Sequence, residues 1–323
     1  METQKNENRK RIKKDASRVG WGLSIYTILI IFIVMIPFFI AGVYLIVNYA
    51  ESAELDAILN QVVEQCESSG TFSIIGVCLG TLFLFAYFRK TVTMTTILQK
   101  GKKMDVRIFL QLLCVFFGCQ FLFIVFDMIL EMGLNLIGYS AMADIESASA
   151  MSTTVSMFLY ASVVGPIVEE LIYRGFVLRS FQKYGKNAAI IISAVLFGVM
   201  HANIPQGMFA FAVGLVLGYV AIEYSVWWAI ALHILNNCVL NDLFAMALSG
   251  IDEQMQNNIM YGIVMFFVIA SGVILWRNRH RIKEFIQENR TEKRVYFYIF
   301  SAVGMLLFIV GEMLVAIMSL QKI

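Results

Sequence analysis

The segment GPIVEELIYRG, Gly165 to Gly175, places two adjacent glutamates and an arginine inside an otherwise apolar run. Ionisable groups in an apolar run are costly unless they are paired, so they usually mark a functional site. If Pro166 opens a helical turn, Glu170 and Arg174 lie at i and i+4 with the acid first, the better order for an ion pair. Glu169 then points about 100° away from this pair around the helix, so its carboxylate is available for a role other than the ion pair. The plainer alternative is that both glutamates only hold helices together through Arg174.

The composition of the whole chain is that of a polytopic membrane protein. Of its 323 residues, 59% are hydrophobic and only 3 are prolines, with a mean hydropathy of +0.74. Soluble globular proteins are roughly half apolar and a quarter charged, so that class is excluded. The formal net charge of +2 gives no reason to expect nucleic acid as a partner. The five cysteines are scattered without a C-x-x-C pair, which indicates small buried residues rather than disulfides.

Apolar runs separated by charged stretches predict an all-α, polytopic transmembrane helix bundle with about eight or nine spans. In the nine-span interpretation the spans are Trp21–Val47, Thr71–Phe88, Ile108–Met132, a run from Thr153 past Glu169, Ala188–His201, Gly207–Ala221, Val226–Leu248, Ile259–Trp276 and Val295–Leu320. The fifth and sixth runs are near the lower length limit for crossing about 30 Å of hydrocarbon, which leaves a count of eight open. The basic run Arg277–Arg294 is expected to be either a short amphipathic surface helix or a solvated loop.

Loops rich in lysine and arginine all fall on one side of this interpretation. Because such loops stay in the cytoplasm, the N-terminus and the loops at Gly101, Lys183 and Arg290 are expected inside, with Asn60 and Asp252 outside. We divide the chain into a basic cytoplasmic N-terminal segment (1–20), the first transmembrane helices (21–150), a catalytic core (151–248) and the C-terminal transmembrane helices (249–323).

Two of the three histidines lie inside apolar segments, His201 in SAVLFGVMHAN and His233 in WWAIALHILNN. A turn is predicted at Tyr184–Asn187, with Glu169 about fifteen residues before it and His201 about fourteen after it, so an antiparallel hairpin brings both to similar depth. Asn237 lies one turn beyond His233 on the same helix face. One histidine in a span is often only a polar contact between helices, but two of them near Glu169 indicate a site.

Three ordered motifs carry a resemblance to a known family. They are E-E-x-x-x-R (Glu169, Glu170, Arg174), F-x-x-x-H (Phe197, His201) and H-x-x-x-N (His233, Asn237). Over Ser152–Asp242 the chain resembles the CPBP or Abi family, the intramembrane CAAX proteases and bacteriocin-processing enzymes. The outer spans add nothing specific to this resemblance.

The resemblance implies an all-helical membrane endopeptidase, which is expected in a bacterial plasma membrane. Its cytoplasmic N-terminus is expected from the grouping of basic residues described above. In that interpretation Glu169 is the general base and His201 its partner in activating water. His233 and Asn237 polarise the scissile carbonyl and stabilise the oxyanion, roles that suit hydrogen-bond donors in a water-poor site. Glu170 and Arg174 form a supporting clamp on the Glu169 helix, and Phe197 is a supporting residue of the second motif.

The residues leave the cofactor and the class of function open. Glu169, His201 and His233 could hold Zn²⁺ with one open position, but the same residues can activate water without a metal. Asn237 is a poor zinc ligand and a good oxyanion donor, which favours the metal-free alternative modestly. The expected partners are a membrane-embedded or lipidated peptide or protein substrate and the lipid bilayer, with no oligomeric state specified. The competing functions are a catalytically silent protein that gives bacteriocin immunity by binding a peptide or partner and, more weakly, a proton-coupled transporter.

Overall fold

The computed structural model describes residues 2–49, 55–149 and 152–323, and most of them are helical. The helices are α1 (Glu2–Tyr49), α2 (Leu55–Glu67), α3 (Thr71–Phe88), α4 (Met94–Ile97), α5 (Val106–Gly118), α6 (Gln120–Asn135), α7 (Met142–Ser149), α8 (Val155–Gln182), α9 (Lys186–Val199), α10 (Ile204–Glu223), α11 (Val226–Leu248), α12 (Glu253–Glu288), α13 (Lys293–Phe300) and α14 (Val303–Met318). Two short strands, β1 (Tyr139–Ser140) and β2 (Gln321–Lys322), pair antiparallel. The prediction of an all-α transmembrane bundle is confirmed.

Seven helices in the described ranges are long and apolar enough to cross a membrane, with α5 and α6 together forming one of them. Helices α13 and α14 form an eighth candidate that is bent by 70° at its break. Helix α9, the predicted span Ala188–His201, has 14 residues and is therefore only about 21 Å long. A count of eight is the most that length and apolarity support, because α9 falls short of the hydrocarbon thickness.

Both basic flanks of the bundle are more helical than the sequence suggested. Helix α1 has 48 residues and continues from the basic N-terminal segment into the first span, with Ile12, Ala16 and Val19 buried. Helix α12 likewise continues through the basic run to Glu288, so neither a separate surface helix nor a solvated loop begins at Arg277. No glycine or proline lies between Trp276 and Glu288, and good helix formers fill the stretch, so nothing ends the helix earlier.

Helices α8 to α11 form the part of the core that positions the site. The predicted turn between α8 and α9 is present, with Gly185 at a φ of +127° that suits glycine. Helices α9 and α10 pack closely, because a Cβ at Gly214 would lie only 3.1 Å from Ala194 and one at Gly218 only 3.2 Å from Ile190. Glycines thus bring α10 close enough for its backbone to contact side chains of α8.

Helices α8 and α11 contain wide π-helical stretches at Tyr160–Val164, Leu171–Val177 and Leu235–Leu243. A wide turn disturbs the regular backbone hydrogen bonds, and freed carbonyls inside a membrane protein need other donors. Side chains of neighbouring helices supply them. Asn237 Nδ2 donates to the Ala161 carbonyl at 3.0 Å, and Ser193 Oγ donates to the Tyr173 carbonyl at 2.8 Å.

Candidate active site

The i,i+4 ion pair that the sequence predicted is present at the centre of the bundle. Arg174 Nη1 donates to Glu170 Oε1 at 2.9 Å, and both side chains are fully buried. Arg174 Nη2 also donates to the Gly214 carbonyl at 3.4 Å, and its guanidinium lies 4.3 Å from the centre of the Phe197 ring. The arginine therefore links α8 to α9 and α10 as well as neutralising Glu170.

Glu170 has a second partner that the sequence interpretation did not include. Its Oε1 lies 2.9 Å from His233 Nδ1, and a paired carboxylate oxygen accepts, so Nδ1 donates. This contact fixes the imidazole ring, as carboxylates commonly do for functional histidines. Glu170 was expected to clamp its own helix through Arg174. In the structure it also orients His233 on α11.

Glu169 lies on the other side of His233 and is the more accessible of the two glutamates. Its Oε2 is 3.7 Å from His233 Nε2, which is beyond hydrogen-bond distance but within direct electrostatic reach. The Glu169 side chain is 21% exposed, whereas the Glu170 side chain is fully buried. The expectation that Glu169 points away from the ion pair and stays free of it agrees with this geometry.

His201 joins the site through the phenylalanine of its own motif. Its Nδ1 lies 2.8 Å from the Phe197 carbonyl, which can only accept, so Nδ1 carries the proton. In the neutral ring Nε2 is then left as an acceptor. The Phe197 ring makes edge contacts with both histidines, at 5.1 Å from His201 and 5.7 Å from His233. Together with its contact to Arg174, the Phe197 ring therefore joins the second motif to the first across the α8–α9 hairpin.

Asn237 ends a chain of three side-chain amides. Gln120 Nε2 donates to Asn236 Oδ1 at 3.1 Å, and Asn236 Nδ2 donates to Asn237 Oδ1 at 3.0 Å. Because the amide oxygens of Asn236 and Asn237 are both occupied, the NH₂ group of Asn237 is directed toward α8, where it donates to the Ala161 carbonyl. Gln120 and Asn236 were missed by the sequence analysis. The sequence features that could have indicated them are the adjacent Asn236 and Asn237 in the predicted span Val226–Leu248 and a glutamine, Gln120, within the apolar span Ile108–Met132.

Asp242 is a second residue that the sequence analysis missed. It is buried, and its carboxylate accepts hydrogen bonds from Ser162 Oγ and from the backbone N–H of Ser152, the latter at 2.9 Å. The contact to Ser162 ties α11 to α8 just beyond Asn237. An acid inside the predicted span Val226–Leu248 was the available signal.

The three residues considered as zinc ligands, Glu169, His201 and His233, do not converge into a three-ligand cluster in this geometry. Within residues 2–49, 55–149 and 152–323, no three histidine, cysteine, aspartate or glutamate side chains converge to hold a metal ion. The Nδ1 atoms of His201 and His233 are both engaged by protein oxygens, which leaves their Nε2 atoms available as acceptors or ligands. No step is assigned to zinc, because these three side chains do not come together around one point.

Comparisons with known proteins agree with the motifs. A family model described as "Type II CAAX prenyl endopeptidase Rce1-like" matches residues 151–239, which include all three motifs. A protein of Bacillus subtilis (strain 168) named "Putative membrane peptidase YdiL" is 31% identical over 83 residues, which are 25% of this chain. The match spans about a third (34%) of the length of that relative, and no solved structure matches the chain. These findings support the CPBP family that the motifs indicated, and the similarity to that family lies in residues 151–239.

Proposed function

We propose that the protein is an intramembrane endopeptidase that cleaves a peptide bond with water activated by Glu169 and His201. One observation carries the proposal. A part-open carboxylate, Glu169, lies beside His233, whose ring is fixed by Glu170, a buried carboxylate already neutralised by Arg174. Two neighbouring glutamates in such different surroundings have different tasks: one holds the site together and the other is accessible to water.

Glu169 and His201 supply the proton acceptors for water. The Glu169 carboxylate accepts through either oxygen, and His201 accepts through Nε2 because its Nδ1 is bonded to a carbonyl. As the water oxygen bonds to the scissile carbonyl carbon, Glu169 takes the proton that the water loses. That proton then passes to the amine nitrogen as the C–N bond breaks, so the carboxylate is regenerated.

His233 and Asn237 supply hydrogen bonds for the oxyanion. With Nδ1 donating to Glu170, the other nitrogen of His233 faces the site, and when protonated it donates to the developing negative charge. An amide NH₂ has two hydrogens, so Asn237 can bond Ala161 with one and the oxyanion with the other. Donors held in place in this way are effective because water is scarce around them.

The proposed substrate is a membrane-embedded or lipidated protein or peptide, cleaved in a bacterial plasma membrane with the N-terminus of the enzyme in the cytoplasm. An active site inside an apolar bundle favours substrates that already lie in the bilayer. The matching family model is described as a prenyl endopeptidase, which supports a lipid-modified substrate. The grouping of basic residues in alternate loops supports the orientation.

The test is a comparison of peptide fragments from cells that make the wild-type protein or the Glu169→Ala variant. We expect specific C-terminal or leader fragments in wild-type membranes that disappear in the variant. Glu253→Ala is the matched control, since Glu253 is an exposed acid at the start of α12. Fragment patterns that are the same for wild type and Glu169→Ala would reject an endopeptidase and leave a binding function.

A further inference from the structure

A small cleft at the basic end of the bundle lies outside the active site. It has a volume of about 60 Å³ and opens between α1, the end of α3 and the end of α8. Its charged lining residues are Asp15, Arg18, Arg179 and Lys183. We call it the Arg18–Arg179 cleft.

The positive charge of the cleft is only partly compensated. Lys183 Nζ lies 2.6 Å from Asp15 Oδ2, so these two charges cancel. The Tyr184 hydroxyl also donates to this oxygen, at 2.7 Å, so Asp15 Oδ2 already has two partners. Among the described residues, neither Arg18 nor Arg179 is paired with a carboxylate, so the lining keeps two uncompensated guanidinium charges.

Both guanidinium groups keep unused hydrogen-bond donors. Arg179 Nη1 donates to Gln182 and Nη2 to the Ala221 carbonyl, while its Nε is buried without a partner in the described chain. Arg18 donates to the Tyr87 carbonyl at 2.7 Å and its guanidinium lies 5.4 Å from the centre of the Tyr87 ring. An arginine has five N–H donors, so donors remain on both residues. A buried donor without a protein partner is unusual, and an anion bound in the cleft would give Arg179 Nε an acceptor.

We propose that the Arg18–Arg179 cleft binds a phosphate group. Guanidinium forks match the oxygens of phosphate in charge and geometry, and pairs of them are typical of phosphate sites. The volume corresponds to about two waters, at roughly 30 Å³ each, which suits one tetrahedral anion and not a large headgroup. The cleft lies where α3 and α8 end, at the basic loops, so both a phospholipid phosphate and free phosphate can reach it. A bound phosphate would join α1 to α8, the helix that carries Glu169.

The test measures thermal unfolding of the purified full-length protein in detergent. Three ligands are titrated separately: short-chain phosphatidic acid, short-chain phosphatidylcholine and inorganic phosphate. We expect phosphatidic acid to raise the Tm of the wild type in a saturable way. In Arg18→Gln the apparent affinity for phosphatidic acid should be at least about tenfold weaker, and in Arg18→Gln/Arg179→Gln the rise in Tm should be absent. The control is Arg277→Gln/Arg279→Gln, which removes two exposed charges from α12 and should keep the full rise.

The arms of the experiment identify the source of the phosphate. A rise with phosphatidic acid that inorganic phosphate does not reproduce supports a lipid ligand, and a saturable rise with inorganic phosphate supports free phosphate. Arg179 also donates to the backbone of α10, so its replacement can prevent folding. In that case the single variant Arg18→Gln is the deciding test. An undiminished rise in Arg18→Gln, or an equal rise with phosphatidylcholine, would overturn the proposal.

Discussion

The buried ion pair between Glu170 and Arg174 leads to a prediction whose magnitude follows from the contacts. Replacing Arg174 by methionine leaves the Glu170 carboxylate without a counter-charge in a fully buried position, which costs about 3–5 kcal/mol. The lost stacking on Phe197 adds up to about 2 kcal/mol, since this contact is shielded from water. Glu170→Gln should cost about 3 kcal/mol, because it leaves Arg174 uncompensated while keeping an acceptor for His233.

The double variant Glu170→Gln/Arg174→Met separates charge from shape. It leaves no unpaired charge, so its cost should fall at least about 2 kcal/mol below the sum of the single costs. The assay is reversible unfolding in mixed micelles with increasing denaturing detergent, read as the free energy of unfolding. Arg279→Met is the matched control, because Arg279 also stacks on an aromatic ring, at 4.7 Å from the centre of Trp276, but is exposed. Its cost should stay below about 1 kcal/mol. Additive single costs, or an Arg174→Met cost no larger than the control, would refute this reasoning.

Three further predictions concern the site, the topology and the metal. Gln120→Met should lower kcat about tenfold at nearly constant KM, because the chain of amides that ends at Asn237 loses one hydrogen bond. The control is Gln111→Met in α5, which should change neither kcat nor KM. Equal effects of the two replacements would contradict this role of Gln120. In a cysteine-free background, Asn60→Cys and Asp252→Cys should react with an impermeant thiol reagent from outside the cell, and labelling only from the cytoplasmic side would reverse the topology. Purified active protein should contain less than one zinc per chain and keep its activity after exhaustive chelation. Stoichiometric zinc whose removal abolishes cleavage would show that the metal-free interpretation is wrong.

The features that could be predicted from the sequence depend on regular helical geometry. The Glu170–Arg174 pair follows from i,i+4 spacing, and the meeting of the first two motifs follows from equal distances to a turn at Gly185. Both predictions require only the regular rise and rotation of an α-helix and, for the two motifs, an antiparallel hairpin. The same arguments fail where the helix is irregular.

The features that could not be predicted depend on irregular turns and on contacts between distant helices. The local sequence does not predict the π-helical stretches of α8 and α11. Carbonyls in the stretches of α8 accept hydrogen bonds from side chains of other helices, as Ala161 does from Asn237. The contact of Glu170 with His233 joins residues 63 positions apart, and the contact of Gln120 with Asn236 joins residues 116 apart. Spacing along one helix cannot indicate such pairs.

The short helix α9 shows a limit of span counting. The apolar run Ala188–His201 predicts a crossing because a basic turn precedes it and an uncharged loop follows it, yet the 14 residues of α9 are too few for the hydrocarbon core. In the structure α9 is packed against α10 and α8, and Ile192, Ala194, Leu196 and Phe197 are almost fully buried. A helix buried in protein on most sides is apolar because of its neighbours, so hydropathy alone does not identify it as a span.

The most direct measurement for the proposed mechanism is cleavage by Glu169→Gln in lipid vesicles. The substrate is the membrane protein identified by the fragment comparison, and the thermal unfolding of each variant is measured alongside. The replacement keeps the shape of the side chain and removes the base, so the rate should fall by about 10²–10⁴ while Tm stays close to that of the wild type. Cleavage by Glu169→Gln at the wild-type rate would contradict the assignment of Glu169 as the group that activates water.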